Sequence, residues 1–472
     1  MRAMRRLTAA LIAFSAIALS AQAPVQPDWA KIEKEALEHF QTLVRFNTAD
    51  PPGVERPAAE YLKQVLDANG IPAQILELEE RRSNVVARLK GNGKKRPLLI
   101  MGHLDTVSID EKKWTLPPFG ATRDGGYIYG RGTVDDKDNA TAALIAMLTL
   151  KRLNVPLDRD VIFLADAGEE GNSRLGIQFM ANQHYPEIEA EYCLAEGGNV
   201  TRENGKVKFA SVQTLEKIPH AVELVARGPS GHASVPLKNN AVAHLADAVS
   251  KAAQWRVPIR LNETTRVYFQ RLADISSPED AKRYRDILSN DPKISGPADD
   301  YLLEREPRHA SMIRTSISPT IIQAGYRINV IPSEVKASLD VRMHPSESPE
   351  DFLAALKKVV NDPAVEVRWA QRDVRPGTGS ARLDSEGFKA VEAMVKKDYD
   401  TATLPTMSTG ATDMAYLRAK GMQCYGIGPA IDVEDGPKGF GAHSDQERIV
   451  ESELYRFVRF HYDVVAELAR AR

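Results

Sequence analysis

Five residues of this chain have side chains that would suit a two-metal site: His103, Asp135, Glu170, Glu196 and His443. Imidazole mixed with carboxylate suits zinc, and cobalt or manganese would also accept it. The spacing is long and irregular, which excludes a finger-type structural site, whose ligands come in close pairs. It fits ligands gathered from the ends of several strands. Each residue also has a plain reading, as a surface histidine or a solvated acidic turn. Glu169-Glu170 resists that reading because it follows an apolar strand, and a buried carboxylate must be paired or bound to a cation.

The elements that must position these residues can be read from the pattern around them. Leu98 to Met101 is an apolar run that reads as a buried strand and ends in Gly102-His103-Leu104-Asp105. Extended backbone puts His103 and Asp105 on one side. Gly130, Gly132, Asp135 and Asp136 precede an apolar, helix-forming run from Ala140 to Leu150. Asp160 to Leu164 is a second buried strand, followed by Asp166, Glu169 and Glu170. Ala190 to Leu194 is a third, followed by Glu196-Gly197-Gly198. Before these, Asp28–Val44 and Glu55–Asn69 read as amphipathic helices, and Ile71–Leu78 and Asn84–Lys90 as strands. Strands alternating with helices predict an α/β layer structure, whose chemistry lies at the carboxyl ends of the strands.

The character changes near Glu216. Ala221–Ala226 reads as a strand, Gly228-Pro229-Ser230-Gly231-His232 as a loop, and Ala241–Ala253 as a helix. Val257 to Pro307 is charged and punctuated by Pro278, Pro292 and Pro297, which predicts helices and loops. Thr320–Ile331 and Glu334–Val341 read as two antiparallel strands around Pro332, Pro349–Val360 as a helix and Val365–Trp369 as an edge strand. This is a compact second domain, 216–375, inserted between 24–215 and 376–472. Helical periodicity resumes at Ser385–Tyr399. A Gly/Ser/Thr-rich segment from Thr406 to Asp413 opens a short helix, Met422–Ile427 reads as a strand, and a helix from Glu447 to Leu468 closes the chain.

Composition narrows the function classes. Arg2, Arg5 and Arg6, the apolar run Leu7–Leu19 and Ala21-Gln22-Ala23 make a secretory signal peptide, 1–23, cleaved after Ala23. The apolar run is shorter than the roughly 20 residues a membrane span needs. The expected product is secreted or periplasmic, with no stable membrane anchor after cleavage. A chain of 472 residues predicts two domains, and a net charge of -2 gives no case for nucleic-acid binding. Cys193 and Cys424 are either a disulfide or two buried thiols.

The segments MGHLDTV, GRGTVDDKDN, AGEEGNSRLG, AEGG, GPSGHASVP, GYRINVIPSEVKASLDVR, STGATDMAYLR and GAHSDQERI, in this order, resemble the M20 family of metallopeptidases, the carboxypeptidase G2, desuccinylase and aminoacylase-1 family. The resemblance implies a zinc-exopeptidase-type α/β/α catalytic domain with an inserted smaller α+β lid or dimerisation domain. It implies two divalent ions, Zn2+ first and Co2+ or Mn2+ as alternatives. His103 and Glu196 would hold one, Glu170 and His443 the other, and Asp135 both. Asp105 would hydrogen-bond His103 and fix its tautomer, and the Asp135-Asp136 bond would be cis. Glu169 would be the general base. His232 would donate to the oxyanion, often from the partner subunit of a homodimer, unless it is a locally satisfied loop histidine. Asn329 would lie near the polar end of the substrate. Arg342 would line the cleft or form an internal salt bridge. Thr409, Gly410 and Thr412 would face the substrate carboxylate, with N-capping as the other reading for either threonine. The long Val257–Pro307 stretch resembles the extended carboxypeptidase S-like and secreted N-acyl-amino-acid hydrolase branch. An insertion there could rebuild the dimer edge, which leaves open both a homodimer and action of His232 in trans.

The expected function is hydrolysis of a peptide or N-acyl amide bond beside a free carboxylate, on a small peptide or N-acyl amino acid. In the clan, glutamate at the position of Glu196 goes with carboxypeptidase or deacylase activity. An aminopeptidase or dipeptidase requiring a free N-terminus is the alternative, and a non-catalytic binding protein on the same scaffold the rival from another class.

Overall fold

The computed structural model describes residues 26–371 and 374–471; the signal-peptide reading falls outside them. Among the described residues no helix is long and apolar enough to cross a membrane.

The centre is a ten-stranded mixed sheet. Its middle consists of four adjacent parallel strands, in the order Val161–Asp166, Leu98–His103, Tyr192–Ala195 and Gln423–Gly426. Their apolar runs are continuous because both faces are covered. Leu98, Ile100, Phe163 and Leu194 pack against the helices Lys137–Arg152 and Glu451–Ala469. Leu99, Met101, Ile162, Leu164, Cys193 and Cys424 turn to the other face, against Ile177–Gln183 and Met414–Ala419. Cys193 and Cys424 stand opposite each other on neighbouring strands, and both are buried free thiols.

The register carries the function. His103 is paired with Asp166, so both strands end at one level, and Tyr192–Ala195 ends there just before Glu196. Gly102 permits the close fit of strand on helix: a Cβ there would stand 2.6 Å from the Ala140 nitrogen and 2.8 Å from Asp136 Oδ2. Beyond the parallel strands, Asn199–Glu203 and Lys206–Glu216 form an antiparallel hairpin. The sequence reading assigned no strand there, although Asn204-Gly205, both at positive φ, is a hairpin-turn signal.

The smaller domain is a four-stranded antiparallel sheet, ordered Ser316–Gln323, Glu334–Met343, Ile218–Arg227 and Val365–Trp369. Helices Ala241–Gln254 and Pro349–Val360 cover one face. The strand expected over Thr320–Ile331 stops at Gln323; Gly325 takes a positive φ, and Val330–Ile331 pairs instead with Gly231–His232. Pro278, Pro292 and Pro307 each start a helix, where a missing N–H costs nothing. With Glu263–Asp274 these helices do not join the lid sheet. Phe269, Leu272, Ile287, Leu302 and Ile313 pack on Leu215, Leu404 and Met407 of the central sheet. The inserted segment therefore widens the catalytic core.

Candidate metal centre

Strand ends and one helix start bring all five expected ligands together. His103 Nδ1 lies 3.0 Å from the main-chain oxygen of Asp105. A carbonyl only accepts, so Nδ1 carries a proton, and Nε2, which otherwise donates to Asp135, is the nitrogen that would turn its lone pair to a cation. Nε2 is 3.1 Å from Asp135 Oδ1, while Asp135 Oδ2 is 3.0 Å from His443 Nε2. His443 Nε2 is also 2.8 Å from Glu170 Oε1. The ligand atoms of His103, Asp135 and Glu196 lie within 4.8 Å of one another, and so do those of Asp135, Glu170 and His443. Asp135 belongs to both groups, with one oxygen toward each histidine, and the peptide bond after it is cis.

The electrostatics match that donor set. Burial, with Glu169 close by, pushes the Glu196 carboxyl well above its ordinary range. Burial would raise Asp135 too, but hydrogen bonds from His103 and His443 hold it low. Hydrogen bonds to Asp135 and Glu170 push His443 up to about 10. Three carboxylates and two imidazoles converge on two adjacent points, an arrangement that fits two divalent cations, with zinc first by ligand type. A third acidic group, Asp50, Glu55 and Asp105, is of another kind: Arg82 fills it, 2.6 Å from Asp50 and 2.8 Å from Glu55.

Asp105 meets His103 as expected, but mainly through its main chain. Its carboxylate is 3.6 Å from His103 Nδ1, and the main-chain oxygen takes the histidine proton. The two carboxylate oxygens accept from the backbone nitrogens of Glu169, at 3.1 Å, and Glu170, at 2.9 Å. Asp105 thus holds the turn that carries Glu169 and Glu170. Glu169 is buried, and burial first of all, then the neighbouring Glu170 and Asp105 charges against the pull of Arg375, places its carboxyl at about 7.

The other expected residues lie elsewhere. His232 and Asn329 meet on the lid, lining a cavity of about 820 Å³ with no metal ligand in its wall. His232 is exposed, and its Nδ1 accepts from the Ser234 nitrogen at 3.1 Å, so Nε2 carries the ring proton outward. Arg342 takes the salt-bridge alternative, with Nε 2.8 Å from Asp340 Oδ2. The Gly410 nitrogen donates to Ser408 Oγ, and Thr412 gives both its donors to Glu216, so neither points at a substrate anion. Thr409 lies half-buried beside them, and the cap residue of the following helix is Asp413 rather than Thr409 or Thr412.

Two features carried no local signal. Arg375, in a Pro/Gly-rich connection, reaches Glu169. Glu216 and Arg418 form a buried ion pair at 2.9 Å behind the Thr412 loop.

Residues 99–467 match the family described as peptidase family M20/M25/M40. The chain is 29% identical over 382 residues to the human N-fatty-acyl-amino acid synthase/hydrolase PM20D1, covering 78% of this chain and 74% of that one. It is 28% identical over 383 residues to a probable carboxypeptidase S-like 2 of Dictyostelium discoideum, covering 78% and 71%. The fold is shared with an M20 family metallo-carboxypeptidase, Sso-CP2, from Sulfolobus solfataricus, at a TM-score of 0.69 and 22% identity over 92% of this chain and 99% of that one. The motif order, the paired metal clusters and these matches lead to one conclusion: the chain belongs to the M20 peptidase family and is a metal-dependent hydrolase, with a catalytic domain and a smaller lid domain.

Proposed function

We propose that this is an exported amide hydrolase that releases an apolar N-acyl group from an amino acid with a free carboxylate. The observation that carries the reading is a cavity of about 560 Å³. Asp135 and Glu196 stand in its wall, and it extends past Phe209, Ile431 and Val433 to Tyr268 and Met312 of the inserted helices. An apolar chain seated there would place its carbonyl at the metal ligands. The glutamate at 196, which in the clan accompanies carboxylate recognition, supports a free carboxylate on the other side of the scissile bond, and the human relative's name states such substrates.

His103 and Glu196 would hold one divalent ion, Glu170 and His443 the other, and Asp135 both. When bound, the pair polarises a carbonyl and makes water a stronger acid. Glu169 then takes a proton from the attacking water at Oε2, since Arg375 stands against Oε1, and returns it to the leaving nitrogen. His232 offers an Nε2 proton for the developing oxyanion. Its place in the lid means that lid closure or a second subunit must deliver it. A homodimer through the lid edge is favoured by exposed Ile321 and Ile322 on the edge strand Ser316–Gln323.

The test is hydrolysis by the purified mature protein of long-chain N-acyl amino acids, N-acetyl amino acids, free dipeptides and C-amidated controls, with and without chelator. Chelator-sensitive cleavage of the long-chain substrates, and not of the amidated ones, is the expected result. Preference for free dipeptides would overturn the acyl assignment, and a required free amine would make the enzyme an aminopeptidase or dipeptidase.

A further inference from the structure

Arg375 lies in the connection between the last lid strand, Val365–Trp369, and the helix Glu386–Tyr399 of the catalytic domain. The connection is tied down at both ends: the Ala370 nitrogen donates to Ala221 O at 2.8 Å, and the Ala381 nitrogen to Thr214 O at 2.9 Å. From its middle, Arg375 Nη2 donates to the main-chain oxygen of Glu169 at 3.1 Å and stands 2.8 Å from Glu169 Oε1. One nitrogen thus hydrogen-bonds the backbone of Glu169 and attracts the carboxylate of the same residue as an ion pair, while Oε1 itself has no hydrogen-bond donor. The Glu169 nitrogen is held separately, by Asp105.

The surroundings explain why a grip is needed. Glu170 and Asp105 oppose the Glu169 charge, and Asp413 crowds it too. Released, the carboxylate would be driven toward another rotamer. Arg375 Nη1 is buried without a hydrogen-bond acceptor, 3.7 Å from Asp413 Oδ1. An under-satisfied buried guanidinium is kept where it does more than fill space.

We infer that Arg375 is a positioning residue of the reaction: it aims the Glu169 carboxylate and ties that aim to the connection between lid and catalytic domain. The inference rests on Glu169 being the general base. A misplacement of about 1 Å is enough to cost roughly 10²-fold in rate.

The experiment uses the metal-loaded enzyme and four variants: R375M, R375K, E169Q and R375M/E169Q. R375M is expected to lower kcat about 10²-fold with KM unchanged and two metal equivalents retained. Because a single nitrogen makes both contacts, R375K is expected to recover most of the loss. R375M/E169Q is expected to be no slower than E169Q, since the arginine then has no base to aim. Wild-type kcat in R375M overturns the inference, as do additive losses in the double variant, and a rise in KM alone would make Arg375 a substrate anchor. Loss of metal in both R375M and R375K would assign it to the fold and overturn it equally. Near-normal turnover of E169Q is a different failure, that of the base itself, and is read from that variant alone.

Discussion

Glu216 offers a perturbation whose size follows from the structure. Its buried carboxylate accepts from Gln213 Nε2 at 2.9 Å, the Thr412 nitrogen at 3.0 Å, Thr412 Oγ1 at 2.7 Å and Arg418 Nη1 at 2.9 Å. Arg418 is itself buried, so E216A strands a guanidinium in the interior and orphans the Thr412 N–H. Breaking a buried pair from one side costs about 3–5 kcal/mol. R418M should cost a similar amount. In E216A/R418M no charge is stranded, and what remains is the set of donors that E216A also orphans, the Thr412 N–H and Oγ1 and Gln213 Nε2, about 1–3 kcal/mol for each that finds no new partner. The double variant is therefore expected to be more stable than E216A alone, with a coupling of about 3 kcal/mol or more between the sites, over 100-fold in the unfolding equilibrium. Urea denaturation followed by circular dichroism gives all four corners of the cycle. Thr412 lines the same small cavity as His103, Glu169 and Glu196, so E216A should also reduce turnover while the metal content stays at two. An E216A midpoint equal to wild type, or additive single effects, would refute the reasoning.

His461 is fully buried beside Phe457, neither ring nitrogen has a partner, and burial holds its pKa down to about 3. Below about 6.5 the unfolded chain binds a proton that the folded one refuses, so stability should fall as pH drops from there to about 3, by at most about 5 kcal/mol from this group. H461L is expected to flatten that part of the stability profile in urea melts at stepped pH; an unchanged slope would clear His461 of the effect. At the metal centre, H443A should lose one metal equivalent and D135A both, measured by elemental analysis after dialysis. Full occupancy in H443A would remove it from the ligand set.

The five ligands were legible in the sequence because their chemistry is local: each follows an apolar strand, opens a helix or sits in a short polar motif. The parallel core was legible for the same reason, since runs such as Leu98–Met101 and Val161–Leu164 make sense only when both faces are covered. So was the lid, whose strand Glu334–Met343 alternates between buried and outward-facing positions. What surrounds the ligands was decided by tertiary contact alone. Arg375 reaches Glu169 across 206 residues, and Arg418 reaches Glu216 across 202. No periodicity announces such pairs, because each depends on where a connection comes to rest after the sheet has formed. The inserted helices are amphipathic whichever sheet they cover, and packing chose the catalytic one. His232 has the right motif, yet in this fold it lines a lid cavity with no proposed metal ligand in its wall. Sequence determined which side chains are candidates for the chemistry, and the fold determined which neighbours stand against them, because those contacts are set by packing between segments that share no local pattern.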